Sequence, residues 1–215
     1  MFKTLTIILS FLFLFGKNQA ATNFQPAPKE LASRTISLND RQPNPWVNSV
    51  FKDNILLNLA YLVGKPHSTL VLWDQLEKPS TYEVKLMPNE TFAFHEDVLP
   101  QYEGKPIITT NAHFNAQEGF KSDGWLTGDG VCHLASLINW AAQAANLKVL
   151  APTNHNFAKI PEIPAKYGVA IYDSPGAHEA NAMQNLYVTN TYKKPISLVF
   201  EYDGKNLKLK VLETI

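Results

Sequence analysis

The one cysteine of this 215-residue chain, Cys132, stands in Gly128-Asp129-Gly130-Val131-Cys132-His133, where a glycine-bracketed turn runs into an apolar helical stripe. A thiol so placed meets unpaired N–H groups and the positive end of the helix dipole. Both favour thiolate, with pKa values of roughly 3.5 to 7.5 in place of about 8.5. Gly128 and Gly130 would let backbone approach a bound carbonyl, and the Cys132 N–H could help stabilise an oxyanion. Such a nucleophile needs a base, and His155 in Pro152-Thr153-Asn154-His155 is the first choice. Asp173, the next acid after a predicted strand, is the candidate to orient the imidazole. Helix cysteine, then histidine, then acid is the chain order of papain-like and transglutaminase-like hydrolases.

Two other readings use the same residues. An unpaired cysteine is among the most often buried residue types and can be a plain core thiol beside Leu134 and Ser136. Alternatively Cys132, His113, His133 and His155 are types that bind zinc, with Asp129 or His95 as further ligands. Adjacent residues on a helix point about 100° apart, which makes joint ligation by Cys132 and His133 awkward. His67 and His178 receive no role in any of these schemes.

The elements that must position these groups follow from apolar spacing. Val47, Val50, Phe51, Ile55, Leu59 and Leu62 recur at intervals of three and four, predicting an amphipathic helix over 47–63 closed by Gly64 and Pro66. Leu134, Leu137, Ile138, Ala141, Ala142 and Ala145 predict the cysteine-bearing helix. Strands are expected at 69–73, 81–86, 148–151, 168–172, 186–189, 196–202 and 207–212, the last two joined by an Asp203-Gly204 turn. The segment 92–127 is loop-rich and crowded with histidines and aromatics. Trp125, Phe94 and His113 are its candidate pocket walls, beside Gly128, Asp129 and Gly130 as backbone contacts to substrate.

Composition narrows the partners. Nineteen basic and nineteen acidic groups cancel, so nothing supplies the footprint that nucleic acid demands. Residues 1–21 read as a secretory signal, with Lys3 ahead of the apolar run from Leu5 to Phe15. That run is too short for a spanning helix of about 20 residues, so no stable membrane span is expected after cleavage. Residues 22–46, with Pro26, Pro28, Pro43 and Pro45, are expected to form an extended lead-in, and 47–215 a single domain.

Gly128-Asp129-Gly130-Val131-Cys132-His133-Leu134-Ala135-Ser136 resembles the Gly-x-Gly-(Val/Ile)-Cys-Gln-x-Ser signature of the VanW-like family, named for an accessory protein of vancomycin-resistance clusters. Met87-Pro88-Asn89-Glu90-Thr91-Phe92-Ala93-Phe94 is similar to that family's Pro-Gly-Glu-x-Phe-Ser-Phe turn. Asn154-His155 and the strand Gln184-Asn185-Leu186-Tyr187-Val188-Thr189-Asn190 extend the likeness over roughly residues 36–213. His133 replaces the usual glutamine, and Asn89 the usual glycine. The resemblance implies an exported, cell-envelope setting and a cysteine and histidine pair, but no particular reaction.

The expected fold is therefore α+β, with the cysteine-bearing helix packed on an antiparallel sheet in a papain- or transglutaminase-like layout. The expected function is a secreted or periplasmic thiol hydrolase or transferase acting on peptide or amide bonds of peptidoglycan, without cofactor. Cys132 would attack, His155 shuttle the proton and Asp173 orient it. A non-catalytic module binding cell-wall peptide, glycan or a partner, and a zinc protein, are the alternatives.

Overall fold

The computed structural model describes residues 27–64, 71–125 and 127–214, so the leader expected at 1–21 lies outside the described residues. The elements, in chain order, are β1 (Lys29–Ser37), α1 (Pro45–Leu62), α2 (Trp73–Leu76), β2 (Ser80–Leu86), β3 (Thr91–Ala93), β4 (Ile107–Ile108), α3 (Val131–Ala144), β5 (Lys148–Leu150), α4 (His178–Met183), β6 (Tyr187–Thr189), β7 (Ile196–Tyr202) and β8 (Asn206–Glu213). The class is α+β as expected.

Two sheets carry the strands. The first is wholly antiparallel in the order β1-β8-β7-β2, and the second runs β4-β3-β6-β5 with one parallel pair, β3 with β4. Along β8 the buried Leu207, Leu209 and Val211 alternate with the more exposed Lys208 and Lys210, the period of two that puts one face on a core. Helix α3 lies on that face against β1 and β8, with α1 beside it. Within the lead-in expected at 22–46, Lys29–Ser37 pairs along β8 as the edge strand of the first sheet, and Pro45 and Trp46 already belong to α1.

The amphipathic stripe expected for the first helix understates its burial. From Asp53 to Leu62 every residue of α1 is buried, including Asp53, Asn54 and Asn58. Its N-cap is Asn44, whose side chain accepts from the Trp46 and Val47 N–H groups, with Pro45 in the first turn. Asp53 and Asn54 are engaged where Lys121 and Asp129 pass over the helix, whereas neither polar side-chain atom of Asn58 has a hydrogen-bond partner among the described residues. Asn54 donates to the Lys121 and Asp129 carbonyls at 2.9 and 2.8 Å and accepts from the Lys121 N–H at 2.8 Å. Lys121 Nζ adds an ion pair to Asp53 at 2.6 Å. One buried asparagine thus ties the turn before Cys132 to the core.

Three strand expectations fail for identifiable reasons. Trp73 opens the short helix α2 instead of ending a strand, and Thr69 and Leu70 lie outside the described residues. The one antiparallel sheet expected behind the cysteine-bearing helix divides in two, since β5 and β6 belong to the second sheet and β7 and β8 to the first. Residues 168–172 form no strand, because their N–H groups find other acceptors. Val169 donates to Ser136 Oγ, Ala170 to the Thr153 carbonyl, Ile171 to Cys132 Sγ and Tyr172 to the Gln184 carbonyl. The burial that its apolar residues announce holds for 168–171, whereas Tyr172 is exposed.

Candidate functional site

Cys132 occupies the first turn of α3. The helix is capped by Gly130 at φ 100°, a left-handed conformation that L side chains resist, and a Cβ there would lie 2.6 Å from the Phe51 carbonyl oxygen. Glycine is required at 130 on both counts. The turn delivers Cys132 to a cleft of about 200 Å³, lined also by His133, His155, Phe157, Ile171 and Tyr172. The structure therefore brings Cys132, His155 and the Gly128–Gly130 turn together around one small cavity.

The sulfur in that cleft is already engaged. Cys132 Sγ donates to the Ile171 carbonyl at 3.6 Å and accepts from the Ile171 N–H at 3.4 Å. One helical turn on, Ser136 Oγ donates to the Cys132 carbonyl and accepts from the Val169 N–H at 2.9 Å. Cys132 and Ser136 share a face of α3 and together dock the 169–171 backbone on the helix, doing what a neighbouring strand would do. The residue keeps partial exposure, yet the thiol sits in dense surroundings. Burial pushes its pKa up to about 11, and the Asp129 carboxylate adds to the rise. Desolvation thus outweighs the helix dipole that the sequence leads one to expect.

The histidines beside it are equally dry. His155 is buried, with Nδ1 donating to the Ala158 carbonyl at 3.1 Å and its ring 4.0 Å from that of Phe157. Burial lowers its pKa below the usual 6.5. Its orienting partner is a backbone carbonyl, and among the described residues no hydrogen bond joins it to Cys132. His133 is buried edge-on to Phe51, 5.0 Å between centroids, and its Nδ1 has no partner. Burial, then the charges of Arg41 and His155, lower its pKa to about 3.

Asp173 does not join this group. It lies in a second, larger cleft of about 600 Å³, shared with Glu96, Asp97, His113, Trp125, Tyr172 and His178. There Asp173 Oδ1 accepts from Asn181 Nδ2 at 3.0 Å, and the same nitrogen donates to Asp97 Oδ2 at 2.6 Å. Asp97 Oδ1 meets His178 Nδ1 at 2.6 Å. His113 bridges Glu118 at 2.8 Å and Glu96 at 3.1 Å, and these contacts, the Glu118 hydrogen bond first, hold its pKa up at about 9. Burial raises the Asp173 pKa against the pull of His95 and His113. For Asp97 burial acts upward too, but the Asn181 amide and the His178 ring win and its pKa falls.

Of the expected pocket walls, Trp125 and His113 face this second cleft, whereas Phe94 is fully buried between Phe92 and Phe114. Glu96, Asp97, Tyr172, His178 and Asn181 form part of the site without having been singled out from sequence. The crowded run Phe94-His95-Glu96-Asp97 was the available signal; the contribution of His178, 81 residues from Asp97, had none. His113 stands with glutamates in the second cleft, away from the three residues with which it was grouped as a zinc set. Among the described residues no cluster of three or more His, Cys, Asp or Glu side chains is disposed to hold a metal ion. No described helix is long and apolar enough to cross a membrane.

The architecture is thus a mixed α+β domain with two adjoining clefts, one dry around a thiol, the other acidic and aromatic. The family model of the VanW like proteins matches residues 78–212, more than half of the chain, and the chain belongs to that vancomycin-resistance-associated family. No curated protein and no solved structure matches it.

Proposed function

We propose that this VanW-like chain is an exported cell-envelope module that binds cell-wall polymer in its acidic, aromatic cleft, with Cys132 as a structural thiol. The observation that carries this reading is the two-way hydrogen bonding of Cys132 Sγ with the Ile171 backbone. A sulfur that serves as the docking point for a chain segment, with its pKa raised to about 11, is a poor nucleophile at neutral pH. The cleft next to it has the opposite character. Trp125 is 90% exposed and Tyr172 49% exposed, and they flank carboxylates and imidazoles in a space large enough for several sugar or peptide units.

The rival reading is a thiol hydrolase or transferase of papain-like layout acting on peptidoglycan amide bonds. It is supported by the shared cleft of Cys132 and His155, and it requires Ile171 to release the sulfur. Purified protein sedimented with isolated peptidoglycan sacculi separates the two. Binding that survives Cys132→Ser and is lost in Trp125→Ala supports the module. Iodoacetamide alkylation at pH 6 faster than that of a model thiol, abolished by His155→Ala and accompanied by release of cleaved muropeptides, would replace the module with the enzyme. Export by residues 1–21 is tested by fusing them to alkaline phosphatase, which is active only outside the cytoplasm.

A further inference from the structure

Each histidine of the thiol cleft has one ring nitrogen that the fold leaves unused. His133 is 4% exposed and His155 7% exposed, and both line the cleft. His155 Nδ1 is taken up by the Ala158 carbonyl at 3.1 Å, and His133 Nδ1 is sealed from water without a partner. The two Nε2 atoms differ from these. Among the described residues neither forms a hydrogen bond, and neither is sealed. Polar atoms on side chains so deeply buried are normally paired, so two that open unpaired on one cavity mark it as a binding place.

The tautomers follow from what the Nδ1 atoms meet. With its proton on Nδ1, the neutral His155 ring presents Nε2 as an acceptor. In His133 a proton on the sealed Nδ1 would be an orphaned donor, so the proton belongs on Nε2, which becomes a donor into the cleft. Burial keeps both rings neutral near pH 7. One donor and one acceptor thus stand on rings whose centroids are 6.3 Å apart. The lining holds one carboxylate and one ammonium side chain, Asp129 and Lys159, so no net charge recruits an ion. Phe157 adds an exposed aromatic face.

A hydroxyl both donates and accepts through one oxygen, and so is suited to bridge two nitrogens on neighbouring rings. An amide points its N–H and C=O in opposite directions and needs partners on opposite sides. A pyranose offers such hydroxyls at its rim and an apolar C–H face. Resting on the cell-wall reading above, we infer that the thiol cleft is a second contact for the same polymer and seats one neutral sugar, a hydroxyl of which accepts from His133 Nε2 and donates to His155 Nε2 while its C–H face lies on Phe157. The cleft of about 200 Å³ suits a single sugar ring, and it shares Thr127 and Tyr172 with the larger cleft along which the polymer would continue.

Histidine side-chain ¹⁵N–¹H spectra of the full exported chain test this during titration with N-acetylglucosamine tetramer, and with acetyl-Ala-Ala methylamide as the amide probe. Both Nε2 resonances are expected to shift saturably with the tetramer and to stay in place with the peptide. His133→Leu is expected to weaken the tetramer about ten-fold, the loss of one hydrogen bond. His133→Gln, whose amide can donate, is expected to stay within about three-fold of the parent. Should His133→Leu fail to fold, Phe157→Ala, at an exposed position, is expected to weaken the tetramer several-fold. Tetramer binding that moves neither Nε2, shifts caused by the peptide instead, or sacculus binding without affinity for the tetramer overturns the sugar assignment and leaves the cell-wall reading standing. Nε2 shifts with the tetramer in a chain that does not sediment with sacculi keep the sugar contact and overturn the polymer reading. Absence of both overturns both.

Discussion

The two clefts share Thr127 and Tyr172 along their common edge, yet they treat ionisable groups in opposite ways. In the thiol cleft burial dominates: Cys132 is pushed up to about 11 and His133 down to about 3, so both stay neutral near pH 7. In the acidic cleft neighbouring charge dominates for the imidazoles, and His113 is held at about 9 and therefore charged. The difference teaches that a helix N-terminus does not by itself activate a thiol. Its favourable interaction, typically 0.3–1 kcal/mol, is smaller than the cost of placing a thiolate in dense packing. Where water and opposite charges reach the side chains, ionisation is favoured instead.

That contrast can be broken most forcefully with acid. The folded chain keeps His133 neutral to about pH 3, whereas the unfolded chain takes up that proton near pH 6.5. Because the folded pKa is the lower one, stability is lost as pH falls below 6.5, by up to about 1.4 kcal/mol per unit and roughly 4 kcal/mol by pH 3. His95 and His155, also lowered chiefly by burial, act in the same direction. Urea denaturation across pH 7 to 4 should show this slope, and His133→Gln should flatten it. An unchanged slope in the variant would remove His133 from the account.

Next in size is the turn that sets the thiol. Gly130→Ala places a methyl group against the Phe51 backbone at a positive φ. It should destabilise by about 3 kcal/mol, combining backbone strain with overpacking. A thermal midpoint within a degree of the parent would show that the α3 entry is not fixed there. Cys132→Ala strips the Ile171 N–H of its acceptor and should cost about 1–2 kcal/mol. Cys132→Ser, which restores an acceptor, should recover part of that loss. If the two substitutions unfold at the same denaturant concentration, the sulfur is not holding the 169–171 segment.

The smallest effect belongs to the acidic side. The folded pKa of His113 is the raised one, so its pairing with Glu118 and Glu96 stabilises fully below about pH 6.5 and is lost as pH rises through about 9. The His113 side chain is 49% exposed, and solvent screening reduces the contribution to roughly 1 kcal/mol. An NMR titration of the His113 ring should place its midpoint near 9. A midpoint at 6.5 would mean that the bridge does not form in solution.

Much of the frame was legible from residue order. The helices around Val50–Leu62 and Leu134–Ala142, strand β2, and the hairpin at Asp203-Gly204 follow from spacing and turn chemistry, which act over a few residues. The Gly-x-Gly turn before Cys132 was equally legible, and glycine is needed at 130 for a local conformational reason as well as a close approach by Phe51. The run 168–172 shows where the signal ends. Its apolar residues announce a buried extended segment, but whether its N–H groups meet a strand or the side chains of Cys132 and Ser136 is a matter of what lies alongside.

Sequence alone determined that this chain has one thiol at a helix start, an acid- and histidine-rich loop region, and the marks of the VanW-like family, because residue identity and short-range spacing carry that information. The tertiary structure decided which of those groups are charged and which of them meet. It set Asp173 beside Asp97 through Asn181 and left His155 to a backbone carbonyl. Ionisation depends on the water excluded and the charges gathered around a side chain, and both are supplied by residues far away along the chain.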